Sequence, residues 1–134
     1  MSPRVIVIAP HPDDETLGAG GTLLRRKAEG STIAWVIVTT ISIDSGWSAE
    51  KVKQRADEIY RITQLYEFDE VFSLNFQTTQ LDIIPMSDLV AAISGVFQSF
   101  RPEEVFVPHP SDVHTDHRVV FNAVSACTKW FRYP

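Results

Sequence analysis

One cysteine in 134 residues leaves nothing to form a disulfide within the chain. That scarcity fits a reducing, cytoplasmic setting. Cys127 sits in the apolar run FNAVSACTKWF and reads as a small core residue rather than a reactive thiol. Positive charge is also in short supply: 12 Lys and Arg face 17 Asp and Glu, for a net charge of -5. A nucleic-acid partner is therefore not expected, because phosphate backbones are met by a basic face. No apolar run approaches the ~20 residues of a membrane span, and the N-terminus lacks the layout of a signal peptide. No G-x-S-x-G elbow occurs, which removes the support for a serine hydrolase. GAGG (18–21) is not a dinucleotide fingerprint, since Leu23 stands where the third glycine belongs and the glycines come too late for the strand-to-helix turn. They suit close packing of a helix on a sheet.

What is present is alternation of strand and helix patterns. RVIVIA (4–9) is a short β-branched run bounded by proline, expected as a strand buried on both faces. A helix follows from Asp14, closed by Gly30. TIAWVIVTT (32–40) is a second buried strand, and Ser48 is placed to cap a long amphipathic helix over 49–68. Val52, Ala56, Ile59, Ile62 and Tyr66 form that helix's apolar stripe. EVFSLNF (70–76) alternates as a third strand, Pro85 opens a helix reaching residue 100, EVFVP (104–108) is a fourth strand, and a final helix spans 116–131. The order implies one domain over 1–134, a Rossmann-like α/β sandwich with a parallel sheet flanked by helices. Ligands of such sheets sit beyond the carboxyl ends of the strands.

The four histidines all fall in two segments, PHPDDE after the first strand and PHPSDVHTDH after the fourth. Both segments belong to the same rim. Histidine nitrogens with a carboxylate oxygen make the ligand set of catalytic zinc, which keeps one position open. One aspartate there needs no more than a helix N-cap to explain it. Asp13, Asp14 and Glu15 together, opposite three histidines, call for a cation that relieves their repulsion.

APHPDDE followed by HPSDVHTDHR resembles the LmbE/PIG-L superfamily of zinc-dependent N-deacetylases, along the chain from residue 4 to about 134. The resemblance implies an LmbE-like three-layer α/β/α sandwich, one Zn2+ per chain, and removal of acetyl groups from N-acetylglucosamine-type sugars. It implies His11, Asp14 and His117 as metal ligands and Asp13 as the general base acting on water at the metal. It further implies His114 as the donor to the oxyanion and Asp116 as the acid that orients and charges His114. Arg55, in RADE, matches an arginine near the sugar, though a surface pair with Glu58 describes it equally well. Iron(II), cobalt or manganese suit the same donors. Asp112 is expected behind the ligands, His109 as a loop histidine, and Glu15 as a favourable contact with the helix dipole. Trp47 lies on the active rim, where it either stacks on a sugar ring or packs on its own domain.

Members of that family usually run longer. A second reading is accordingly a truncated or non-catalytic zinc-binding member, acting as a binding or assembly component. Trp130, Phe131 and Tyr133 would then lie uncovered and favour a homo-oligomer.

Overall fold

Continuous apolar runs form strands only where both faces are covered, and β1 (Arg4–Ala9) and β2 (Thr32–Thr40) obey this. Val5 to Ala9 and Ile33 to Thr39 are buried without interruption. With β3 (Glu70–Gln77) and the short β4 (Glu104–Phe106) they build a four-stranded parallel sheet in the order β3-β2-β1-β4. The computed structural model describes residues 2–129, so the expectation about Trp130, Phe131 and Tyr133 lies outside the described residues.

Period-two alternation divides the core between the faces. Val5, Val7, Ala9, Ile33, Trp35 and Ile37 meet α1 (Asp14–Ala28) and α2 (Ala49–Tyr66) through Leu23 and Tyr66. Ile6, Ile8, Ala34, Val36 and Val38 meet α3 (Met86–Phe100) and α4 (Thr115–Cys127) through Leu89, Ile93, Phe97, Val120 and Val124. The result is the expected three-layer α/β/α sandwich. After β3 the chain crosses back over β2 and β1 to lay β4 on the far side of β1. Strand order therefore reverses between β1 and β4, where open α/β sheets form their crevice.

Several boundaries differ from expectation. β4 ends at Phe106, not at residue 108, and α4 starts at Thr115 with His114 as its cap. α2 stops at Tyr66 because Glu67 turns left-handed (φ 54°) and Phe68 N–H returns to Thr63 O at 3.2 Å. No glycine marks that stop. Gly30 does end α1, with φ 90°. Ala56 remains exposed, so α2 docks mainly through its C-terminal half, where Tyr66 is buried.

Within GAGG, Ala19 packs on the sheet-side core while Gly20 lets α1 approach α2 closely. A Cβ on Gly20 would lie 2.8 Å from Tyr66 Oη, while one on Gly21 would meet open space. The Tyr66 hydroxyl is held by donating to Thr16 Oγ1 at 3.0 Å, so it does not yield freely. Gly20→Ala is expected to destabilise the fold by about 1–2 kcal/mol. Gly21→Ala, in an open helical position, should stabilise by about 0.5–1 kcal/mol. Urea unfolding of both variants checks this, and equal effects would contradict the packing.

Candidate metal centre

The loops leaving β1 and β4 meet at the reversal point. Asp13 N–H and Asp14 N–H both donate to His11 O, at 2.9 and 3.2 Å, which folds HPDD into a tight turn. Asp14 Oδ2 accepts His11 N–H at 2.8 Å and closes it. That oxygen lies 3.4 Å from His11 Nδ1 and 3.2 Å from His117 Nε2. Tetrahedral ligands at the usual zinc distances stand about 3.4 Å from one another, so these separations fit an ion between them.

Two groups of described residues could hold a metal ion: His11, Asp14 and His117, and His11, His114 and Asp116. Within each, the donor atoms lie within 4.8 Å of one another. Hydrogen bonding separates the two. Asp116 is fully buried, and its Oδ2 accepts Thr79 N–H at 2.8 Å and faces His11 Nε2 at 2.9 Å. Its Oδ1 accepts Leu81 N–H at 3.2 Å. His114 Nδ1 accepts Asp116 N–H at 3.1 Å. The second group's donors are thus largely occupied. In the first group each histidine is backed by a carboxylate, Asp116 behind His11 and Asp112 behind His117 Nδ1 at 3.0 Å. That is the usual environment of metal-binding imidazoles.

The electrostatics follow the same arrangement. Burial pulls the pKa of His11 down, but Asp14 and Asp116 outweigh it and leave the net value raised. Burial pushes Asp14 up, yet the hydrogen bonds from His11 and the charge of His117 hold it below the ordinary carboxylate range. Asp112 is also lowered, first by the His114 N–H and then by His117.

Asp13 occupies the N-cap position of α1 but makes no capping hydrogen bond and is exposed, so capping does not account for it. The expectation that the Asp116 carboxylate orients His114 is not met. The side chain instead turns inward to His11 and the 79–81 loop, and only its main-chain N–H touches His114. Because His114 Nδ1 accepts, a neutral ring carries its proton on Nε2. The His114 ring centroid lies 4.7 Å from that of His11 and 4.9 Å from that of His117. His109 is an exposed loop residue outside both groups, its Nδ1 accepting Ser111 N–H. Arg55 is not brought into either group: it lines a separate small cavity with Trp47, its Nε 3.9 Å from Glu58.

Glu15 departs most from expectation. It shares the sheet-facing side of α1 with Leu23, is 1% exposed, and burial pushes its carboxyl up to about 7. Its Oε2 has no hydrogen-bond partner among the described residues. The spacing Glu15–Ala19–Leu23 is the sequence signal for this placement. A cavity of about 490 Å³ opens beside the cluster, its lining including Leu17, Phe106, Val107, Asp112 and His117.

Residues 6–128 match the family described as PIG-L: GlcNAc-PI de-N-acetylase. The chain belongs to this PIG-L family. It is 27% identical over 124 residues to the uncharacterized deacetylase YaiS of Escherichia coli K12, covering 89% of this chain and 64% of that protein. The conserved protein TT1542 from Thermus thermophilus has a similar structure, with a TM-score of 0.78 and 31% identity over 92% of this chain and 54% of that one. The N,N'-diacetylchitobiose deacetylase from Pyrococcus horikoshii gives a TM-score of 0.76 at 26% identity, over 95% of this chain and 51% of that one. This PIG-L chain thus spans between about half and two thirds of these relatives.

Three outcomes are expected. Protonated His11 stabilises the metal-free fold below its ordinary pKa of 6.5, and that contribution is lost as pH rises through the raised value. Asp14 contributes above its ordinary 3.8 and loses its contribution as pH falls through the lowered value. Chelator-treated protein should therefore show a Tm that falls as pH rises above the ordinary histidine value of 6.5, and a metal ion, which takes neutral imidazole, should offset the fall. A flat profile would contradict this. Asp112→Ala should weaken divalent-metal binding about 10- to 100-fold at nearly unchanged stability, read by calorimetry and thermal unfolding. Asp116→Ala should also destabilise by about 3 kcal/mol, because it strips buried donors of their acceptor.

Proposed function

We propose that this PIG-L protein is a zinc-dependent hydrolase that removes the acetyl group from an N-acetylated amino sugar or its conjugate. The observation that carries the reading is a three-donor group beside an uncommitted carboxylate. His11, Asp14 and His117 supply three donors, where a structural zinc site would supply four, and Asp13 stands next to them without a capping bond. Relatives that the chain resembles are named as deacetylases, which favours this reading over a non-catalytic binding component. The solved relative from Pyrococcus horikoshii is named as acting on N,N'-diacetylchitobiose, and this supports the substrate class.

In this reading His11, Asp14 and His117 would hold the ion, with Asp116 and Asp112 fixing the two imidazoles from behind. When bound there, a zinc ion would supply Lewis-acid polarisation of an acetyl carbonyl and a water pKa lowered to about 7. Asp13 takes the proton of the attacking water and returns it to the nitrogen as the C–N bond breaks. His114 donates from Nε2 to the carbonyl oxygen as negative charge develops there, a contribution of about 3 kcal/mol. Water adds across the amide, the C–N bond breaks, and acetate and the free amine leave. Arg55 is assigned to the sugar, on the cavity that it shares with Trp47.

Acetate release from N-acetylglucosamine derivatives, measured beside metal content, tests this. Asp13→Asn should keep its zinc and lose about 10²- to 10⁴-fold in rate. His117→Ala should lose both metal and activity. Zinc-loaded protein that frees no acetate from any such sugar, or an Asp13→Asn variant with full activity, would overturn the assignment.

A further inference from the structure

His11 stands between Pro10 and Pro12, which gives its backbone few ways to leave β1. The Pro10 ring locks φ of that residue, and a residue before proline is confined to the extended region. What remains to be set is ψ of Pro10, a rotation that turns the Pro10 carbonyl and the His11 N–H as one plane. Proline has no N–H, so past Ala9 that carbonyl is all that Pro10 gives to the strand ladder.

Thr39 on β2 holds this carbonyl twice. Its N–H donates to Pro10 O at 3.1 Å, continuing the ladder that pairs Ala9 with Ile37. Its hydroxyl donates to the same oxygen at 2.7 Å. The ladder needs the first bond and not the second. Thr39 is 3% exposed and follows the buried run from Ile33 to Val38, so water does not stand in for the hydroxyl. A polar group sunk into an otherwise apolar strand is costly unless bonded, and here its bond goes to the peptide that carries His11. His11 is thereby fixed at three points: the preceding carbonyl by Thr39, its N–H by Asp14 Oδ2 at 2.8 Å, and its ring Nε2 by Asp116 Oδ2 at 2.9 Å. Of the three, only the Thr39 bond involves neither a candidate metal ligand nor a carboxylate.

We infer that Thr39 is a positioning residue of the proposed metal centre, its hydroxyl clamping the Pro10 carbonyl and so setting where His11 leaves β1. The inference rests on the zinc-dependent reading and adds to it a residue on β2, outside both histidine segments. A ligand held in place before the ion arrives loses less freedom on binding it.

The experiment measures zinc affinity by calorimetry and thermal unfolding of the chelator-treated protein, with acetate release from N-acetylglucosamine derivatives recorded alongside. Thr39→Val keeps the branched shape and the N–H and removes the hydroxyl. It should weaken zinc binding about tenfold, while the metal-free Tm moves by no more than about 4 °C. Thr39→Ser, which restores the hydroxyl, should bring affinity back to within about twofold of the unaltered chain. Thr40→Val is the control, because the Thr40 hydroxyl donates to Ile41 O at 3.2 Å, and it should leave zinc affinity unchanged. A hydroxyl that served only the strand would lower the metal-free Tm and leave zinc affinity where it is. Zinc affinity unmoved by Thr39→Val, or a loss that Thr39→Ser does not recover, would overturn the clamp alone. The expected affinity pattern without acetate release would support the clamp and overturn the deacetylase reading. No zinc bound by the unaltered chain would overturn both.

Discussion

Asp116 carries its carboxylate fully buried, yet accepts hydrogen bonds from Thr79 N–H and Leu81 N–H and faces the ring of His11 across 105 residues of sequence. An ionised group taken out of water costs several kcal/mol unless donors replace its hydration. The donors here come from the loop after β3, from the start of the 3-10 turn at Leu81–Ile83, and from the loop after β1. Satisfying one carboxylate therefore fixes four pieces of chain relative to each other: α4, the 79–81 loop, His11, and through Asp116 N–H the ring of His114. Displacing any of them leaves buried polar groups unpaired. The imidazole orientations of the candidate metal centre follow from that constraint rather than from flexible loop positions.

With Asp116 on one side and Asp112 on the other, the ring nitrogens of His11 and His117 that remain both turn to Asp14 Oδ2. A division of labour among the acids follows from where each points. Asp14 faces both histidines, Asp112 and Asp116 brace them, Glu15 is buried beneath α1, and Asp13 is left exposed and uncapped. Five carboxylates in two short segments thus hold four different environments. Topology supplies the rest, because the reversal of strand order between β1 and β4 brings the two segments to one crevice.

Much of this is legible in the sequence. The strands are readable because Val5–Ala9 and Ile33–Val38 are continuous apolar runs, and the parallel order follows from their alternation with helices. The meeting of the histidine segments follows from the rule that strand carboxyl ends share a rim. Local chemistry announces Ser48, whose hydroxyl accepts Lys51 N–H at 3.1 Å, and Gly30 as a helix stop. What is not legible depends on tertiary direction. The partner of Asp116 is set by the inward face of α4, and no spacing within HTDH distinguishes His11 from His114 as its target. The left-handed stop at Glu67 carries no glycine to signal it, and the turn at Leu81–Ile83 is held by a residue far along the chain. For Glu15 two local signals conflict: its place in the first turn suggests solvent, while its periodicity puts it on the sheet side, and the periodicity wins.

In the proposed function one ion sits between His11, Asp14 and His117. A crystal of the zinc-loaded protein, with anomalous scattering recorded at the zinc edge, addresses it directly. A single peak is expected about 2.0–2.2 Å from His11 Nδ1, Asp14 Oδ2 and His117 Nε2, with Asp116 still on His11 Nε2. A peak held instead by His114 and Asp116, or none on this rim at full zinc occupancy elsewhere, would contradict it.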